Sequence, residues 1–294
     1  MRALGLTDGS AGMIAQVRAL AEALAVELEE KIITVNKSWR FLPNRAFDFG
    51  LSKIFPVSNQ TFTALPELII SCGRKGALVA ASLKISAKRI HIQDPQMSPK
   101  HFDVVVAMAH DKLKGSNVIS VPYALHSITP TKLAVAKEQW QKKFGYLRKP
   151  WNAILIGGST NKYKLTDAAF EKLISDMEHI EGALLVTTSR RTGAENIQRL
   201  AVRWRNNGRV YLYTGEGENP YLGMLACADN IYVTNDSVNM MSEALASGKP
   251  VSILKLQGHK KTKPARFAEH ISEYKISPQE MRETLVASIR QMLA

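Results

Sequence analysis

Residues 2–7 are a short apolar run that breaks into Asp8-Gly9-Ser10-Ala11-Gly12, and near residue 152 the same grammar restarts with a run ending in Gly157-Gly158-Ser159. An apolar run stopped by a glycine-rich turn and followed by helical spacing opens a β–loop–α unit. Its repetition builds a parallel sheet with helices on both faces. After the first turn, Ile14, Val17, Leu20, Ala21, Leu24 and Leu28 recur at three and four residues, which predicts a helix over 13–28. Strands are predicted at 31–35, 68–71, 89–92, 104–107 and 118–121, with a helix over 77–85 behind a turn at 72–76. A basic helix at 130–144 and a turn at 145–150 read as the passage to a second lobe. There, strands at 152–156, 183–187, 210–213, 230–233 and 251–254 alternate with helices at 167–179, 194–206 and 221–226 and one capped by Asp236. A last helix opens at Ser277-Pro278-Gln279-Glu280, a capping box with proline at the first helical position. The expected class is α/β: two Rossmann-like doubly wound lobes, residues 1–146 and 147–294, with a cleft between them. The last helix is a candidate to pack back on the first lobe.

The length of 294 residues suits two domains of roughly 100–200 residues each. With 45% hydrophobic and 22% charged residues the chain is neither disordered nor low in complexity. Its 39 Lys and Arg against 26 Asp and Glu give +13, which bears on partners and points to something anionic. Residues 1–149 carry net +10 and residues 150–294 net +3, so the excess is assigned to the N-terminal half, as the place for an anionic acceptor or lipid surface. No recognised nucleic-acid module is present and the basic residues are dispersed, so nucleic acid is not an expected partner. Cys72 and Cys227 are far apart without a C-x-x-C pairing, which excludes a disulfide framework and a thiolate zinc site. No apolar run approaches the ~20 residues of a bilayer span, and Arg18 and Glu22 interrupt the first helix, against a secretory signal. A cytoplasmic protein is expected, any membrane contact being peripheral and on the inner face.

The stretch Val233-Thr234-Asn235-Asp236-Ser237-Val238-Asn239-Met240-Met241-Ser242-Glu243 says most about chemistry. A strand ends, small polar residues turn the chain, and a helix starts whose first amides, at Ser237, Val238, Asn239 and Met240, favour phosphate. Glu243 falls on the same side as Asp236 by the i, i+7 rule. Its carboxylate either takes the hydroxyls of a ribose while the helix start holds a diphosphate, or is a solvated group on a capped amphipathic helix. Gly158 closes another strand. Ser189, Arg190 and Arg191 close a third.

In the first lobe, Gly9, Ser10 and Gly12 bring backbone close at the start of the first helix, and Asp8 is a base, an acceptor-orienting group or a helix cap. Arg74 and Lys75 put two cations at another helix start, suited to an anionic acceptor. His110-Asp111 follows a strand as base and orienter or as a structural pair, and His126 is a rival for the same duty. Residues 39–55 interleave aromatics with cations. Trp39, Phe41 and Phe47 either enter an anionic membrane interface or pack into the lobe. The turn at 8–12 is not G-x-G-x-x-G and the second strand ends at Asn36-Lys37 without an acid, against a nicotinamide site. No H-E-x-x-H, Walker A or Asp-x-Asp pattern occurs, so neither metal nor cofactor is expected.

Ser237 and Glu243-Ala244, followed by Gly248-Lys249-Pro250-Val251, resemble the donor-site helix and next strand of GT-B glycosyltransferases and their epimerase relatives. More specifically, the chain resembles the bacterial branch of the mitochondrial-fission (elongated-mitochondria) family. The motifs are Asp8-Gly9-Ser10-Ala11-Gly12-Met13 with Gln16, Ser71-Cys72-Gly73-Arg74-Lys75, Gln93-Asp94-Pro95, His110-Asp111, Gly157-Gly158, Thr188-Ser189-Arg190-Arg191-Thr192, Asp236-Ser237-Val238-Asn239-Met240 and Gly248-Lys249-Pro250. The resemblance implies a GT-B-like fold and a metal-independent transferase, in which Arg190 and Arg191 either stabilise the leaving diphosphate or are solvated loop residues. A nucleotide-diphosphate sugar would be the substrate in the second lobe, and an anionic envelope glycolipid would be the acceptor on the first. Two alternatives stay open: a non-catalytic scaffold that binds membrane or a partner protein, and a nucleotide-sugar epimerase.

Overall fold

The structure is a computed structural model that describes residues 1–33, 43–49, 65–160, 163–256 and 262–294. Its elements in chain order are β1 (Arg2–Thr7), α1 (Ala11–Leu24), β2 (Glu27–Ile32), β3 (Leu68–Cys72), α2 (Gly73–Ser82), β4 (Lys88–Ile92), β5 (Val104–Met108), β6 (Val118–Val121) and α3 (Pro130–Phe144). There follow β7 (Trp151–Ile156), α4 (Asp167–Glu178), β8 (Ala183–Thr188), α5 (Ala194–Arg203), β9 (Val210–Tyr213), α6 (Tyr221–Cys227), β10 (Asn230–Thr234), α7 (Val238–Ala246), β11 (Val251–Leu254), α8 (Lys263–His270) and α9 (Pro278–Leu293). They make two compact units, Met1–Ser127 with Pro278–Ala294, and Ile128–Ser277.

The first unit holds a parallel sheet in the order β2-β1-β3-β4-β5-β6. Strands β3 and β5 are buried at every position, the continuous apolar pattern of a sheet covered on both faces. Leu4, Leu6, Ile69, Val105 and Ala107 pack with Ala77, Leu78 and Ala80 of α2 in one cluster. The closing helix α9 packs on α1, β5 and β6. The second unit holds a parallel sheet in the order β11-β10-β7-β8-β9. Ile154, Ile156, Leu184 and Val186 pack there against Phe170, Leu173, Ile174 and Met177 of α4 and Leu200 of α5.

Three expectations are corrected. The helix predicted over 13–28 stops at Leu24, because Ala25 takes a left-handed φ of 56° and its N–H closes on the carbonyls of Ala21 and Glu22. The charged segment behind it is β2, a sheet-edge strand paired with β1 from Arg2↔Glu27 onward. The glycines at 73–76 form no turn but the first turn of α2. Gly73, with φ +75°, sits against Met13, and a Cβ on Gly76 would lie 2.8 Å from the Leu6 carbonyl. Residues 145–150 are not the passage between units, since helix α3 belongs to the second unit, where it packs on α6. Trp140 lies so close to Gly223 that any side chain there would overlap its ring.

That third correction moves charge. Residues 128–277 carry 22 Lys and Arg against 14 Asp and Glu, and the rest of the chain carries 17 against 12. The second unit is therefore net +8 and the first net +5, the reverse of the assignment by sequence halves. Among the described residues no helix is long and apolar enough to cross a membrane.

Candidate functional site

In an open parallel sheet a crevice forms at the carboxyl ends of the strands wherever successive connections leave in opposite directions. In the second unit the order reverses between β7 and β10, and in the first between β1 and β3. The loops after those four strands are where each unit offers backbone amides and side chains to a ligand.

In the second unit the loops after β10, β7 and β8 follow one another along the sheet edge and are tied together by Asp236. Its side chain is fully buried. Gly158 N–H donates to Asp236 Oδ2 at 3.0 Å, Thr234 Oγ1 donates to Oδ1 at 2.6 Å, and Arg191 Nη2 lies 2.8 Å from Oδ2. Asp236 was expected to cap α7. The cap is Ser237 instead, whose Oγ accepts from Met240 N–H at 3.4 Å, and Asp236 turns inward to serve the neighbouring loops. A buried carboxylate needs several donors to offset its desolvation, and these are the groups that supply them. Thr234 Oγ1 also accepts from Gly157 N–H at 2.8 Å. Thr192 Oγ1 donates to the Gly157 carbonyl at 2.6 Å and accepts from Ser189 N–H at 3.1 Å. Both glycines are required by crowding: a Cβ on Gly157 would fall into the Asp236 carboxylate, and one on Gly158 would fall into the Arg191 carbonyl. Asn235 is buried as well and accepts from Leu256 N–H at 3.0 Å, holding the chain after β11.

The result is a rigid floor with Arg190 exposed and Arg191 half-committed to Asp236. The first turn of α7, with Val238 and Asn239, begins where these loops meet. Glu243, one turn further along α7, is partly buried rather than solvated. Tyr221, the first residue of α6, donates its hydroxyl to Glu243 Oε2 at 2.5 Å. Burial pushes the Glu243 carboxyl above the usual carboxylate range and the tyrosine hydrogen bond opposes that shift. Burial beside Glu243 likewise raises the Tyr221 phenol. Sequence reasoning missed Tyr221. Its signal, an aromatic just after the Gly215–Pro220 strand-end loop, lacks meaning until the fold brings α6 to α7.

In the first unit the β1 and β3 loops adjoin. Asp8 Oδ1 accepts from Ser10 N–H at 3.1 Å, and Asp8 Oδ2 stands 4.0 Å from Lys75 Nζ. Asp8 thus shapes the turn, Gly9 takes φ +85°, and the Gly12 carbonyl accepts from buried Gln16. Cys72 is buried, and burial together with the Asp8 charge raises its thiol far above the ordinary range. Arg74 is exposed. Its carbonyl and that of Pro95 are both held by buried Asn44 Nδ2, at 2.7 and 2.8 Å. His110 and Asp111 form a short turn after β5 with Nε2 and Oδ1 3.7 Å apart. His126 is not at a strand end. It is buried and, with Leu125, lines a small cavity bounded by Ala19, Leu20 and Ala23 of α1 and Met281 and Leu285 of α9. Trp39, Phe41 and the side chain of Phe47 lie outside the described residues.

Comparison with known proteins agrees with the fold. A curated mitochondrial fission protein ELM1 of Arabidopsis thaliana is 28% identical over 243 residues, 71% of this chain, and the chain spans only 56% of its length. An uncharacterized protein of Rickettsia prowazekii (strain Madrid E) is 26% identical over 87% of this chain and 85% of its own. Among solved structures, UDP-GlcNAc 2-epimerase of Methanocaldococcus jannaschii, in complex with UDP-GlcNAc and UDP, superposes with a TM-score of 0.54. It is 15% identical and the match covers 99% of each chain, a likeness of fold. The fold is that of the two-lobe, GT-B-like Rossmann proteins. The model of the family described as Mitochondrial fission ELM1 matches residues 11–286, and the chain belongs to that family.

Proposed function

We propose that the chain binds a nucleoside-diphosphate sugar on its second unit and transfers the sugar to an acceptor held by the first. The observation that carries this reading is the floor built by Asp236, which fixes the loops after β7, β8 and β10 beside the start of α7. Arg190, Arg191 and the α7 amides would take the diphosphate, and Glu243 the ribose. The net +8 of the second unit favours such an anion.

In the reaction an acceptor hydroxyl would lose its proton to Asp8 or to His110, the latter oriented by Asp111, and its oxygen would attack the anomeric carbon. The bond from that carbon to the diphosphate would break, and the charge released on the diphosphate would be met by the arginines and the helix start. Arg74 and Lys75 suit an acceptor that is itself anionic, such as an envelope glycolipid.

Titration calorimetry and thermal shift with UDP, GDP, ADP and CMP test the donor site. Uridine nucleotides come first, because the M. jannaschii structure carries UDP and UDP-GlcNAc. Binding that is lost in Glu243→Ala supports the reading. No binding of any at millimolar concentration sinks it. Sugar turnover without added acceptor would indicate epimerisation. Vesicle binding that depends on Trp39, Phe41 and Phe47, with no nucleotide effect, would indicate a scaffold.

A further inference from the structure

The hydroxyl of Tyr221 and the carboxylate of Glu243 come from helices that follow different strands, β9 and β10, and meet at 2.5 Å. A carboxylate that is to receive a ribose needs its oxygens held in one orientation. The Glu243 carboxylate sits on a flexible stem of two methylenes, and among its described contacts the tyrosine hydroxyl is the group that fixes it. The bond also decides capacity. An ionised carboxylate has two oxygens for acceptance. With Oε2 turned toward Tyr221, Oε1 is the oxygen whose acceptor sites are all open to a ligand.

We propose that Tyr221 is a positioning residue for the nucleotide: it locks Glu243 so that a single oxygen, Oε1, accepts from one ribose hydroxyl, and through Glu243 it sets the preference for ribonucleotides over deoxyribonucleotides. This rests on the nucleotide reading above and adds to it a residue, a stoichiometry of contact and a discrimination. Burial and the phenol act in opposite directions on Glu243, so removing the hydroxyl both frees the carboxylate to rotate and leaves it less able to carry the charge that a hydroxyl donor prefers.

The test is titration calorimetry on the full chain at pH 7.5 with UDP, ADP and GDP, each against its 2′-deoxy and 3′-deoxy forms. The variants are wild type, Tyr221→Phe and Glu243→Gln. In the wild type one of the two deoxy forms should bind about tenfold more weakly than the ribonucleotide and the other equally well, since one hydrogen bond to a charged acceptor is at stake. In Tyr221→Phe that tenfold ratio should shrink to about threefold or less, with the affinity for the weaker deoxy form unchanged and the melting temperature within a few degrees of wild type. A merely structural tyrosine would lower all affinities together. In Glu243→Gln, whose amide oxygen still accepts but carries no charge, the ratio should fall to about threefold or less. If Glu243→Gln lowers the ratio and Tyr221→Phe keeps it, the role of Tyr221 is overturned while the donor-site reading stands. If both deoxy forms lose affinity equally, the single-oxygen contact is overturned. If no nucleotide binds, or the wild type shows no ratio, the assignment of Glu243 falls and this inference with it.

Discussion

Gly157→Ala is the smallest change that should dismantle the floor of the candidate site. The three nearest atoms to a Cβ at this position all belong to the Asp236 carboxylate, and at such closeness the carboxylate must leave its socket. It would forfeit the Gly158 N–H, the Thr234 hydroxyl and the Arg191 guanidinium. The amide bond strands a buried donor, at about 1–3 kcal/mol, and the hydroxyl bond to a charged acceptor is of similar size. The Arg191 pair is discounted because its side chain is 38% exposed. The total is about 3–5 kcal/mol, or roughly 10 °C in the melting of a unit of this size. Scanning calorimetry of the full chain should show this loss. The loss depends on one contact, so a double-mutant cycle can refute its cause. Asp236→Ala removes the obstructing group, and Gly157→Ala should then cost almost nothing in that background. Costs that add to within about 0.5 kcal/mol would show that Gly157 and Asp236 act independently and that the floor is not what the glycine protects.

Other outcomes follow from single contacts. His91 is fully buried with Nδ1 2.8 Å from Ser71 Oγ, and burial lowers its pKa to about 3. The unfolded chain takes up this proton near pH 6.5 and the folded one does not, so stability falls as pH drops from about 6.5 toward 3. Urea titrations at pH 7 and pH 5 should differ by about 2 kcal/mol from this group, and His91→Gln should remove that share of the slope. Trp140→Ala should destabilise the second unit by about 3–5 kcal/mol, because the indole fills the seam over Gly223; loss confined to the first unit would contradict the placement of α3. Asn44→Ala should cost about 1–3 kcal/mol and speed proteolysis near residues 43–49, since both carbonyls it holds lose their donor; an unchanged digestion pattern would count against this anchor.

What the sequence determined by itself is local. Apolar runs, helical spacing and glycine punctuation are set within about a dozen residues, and they located two parallel α/β lobes, the strands at 118–121, 210–213 and 251–254, and helix α3 to the residue. The strand-end loops also followed, because in such a sheet chemistry sits where strands stop. Tertiary structure decided everything that depends on which strands are neighbours. Strand order places the crevices at β1/β3 and β7/β10, and no periodicity encodes that. Asp236 stands two residues before α7 and reads as a cap in sequence, but its donors come from residues 158 and 191 as well as from Thr234, two positions back. Tyr221 acquires its part only when α6 meets α7. The charge excess could be counted from the sequence but not allotted, because helix α3 is bound to the second unit by the packing of Trp140 on Gly223, a contact across some eighty residues that pattern reading cannot see.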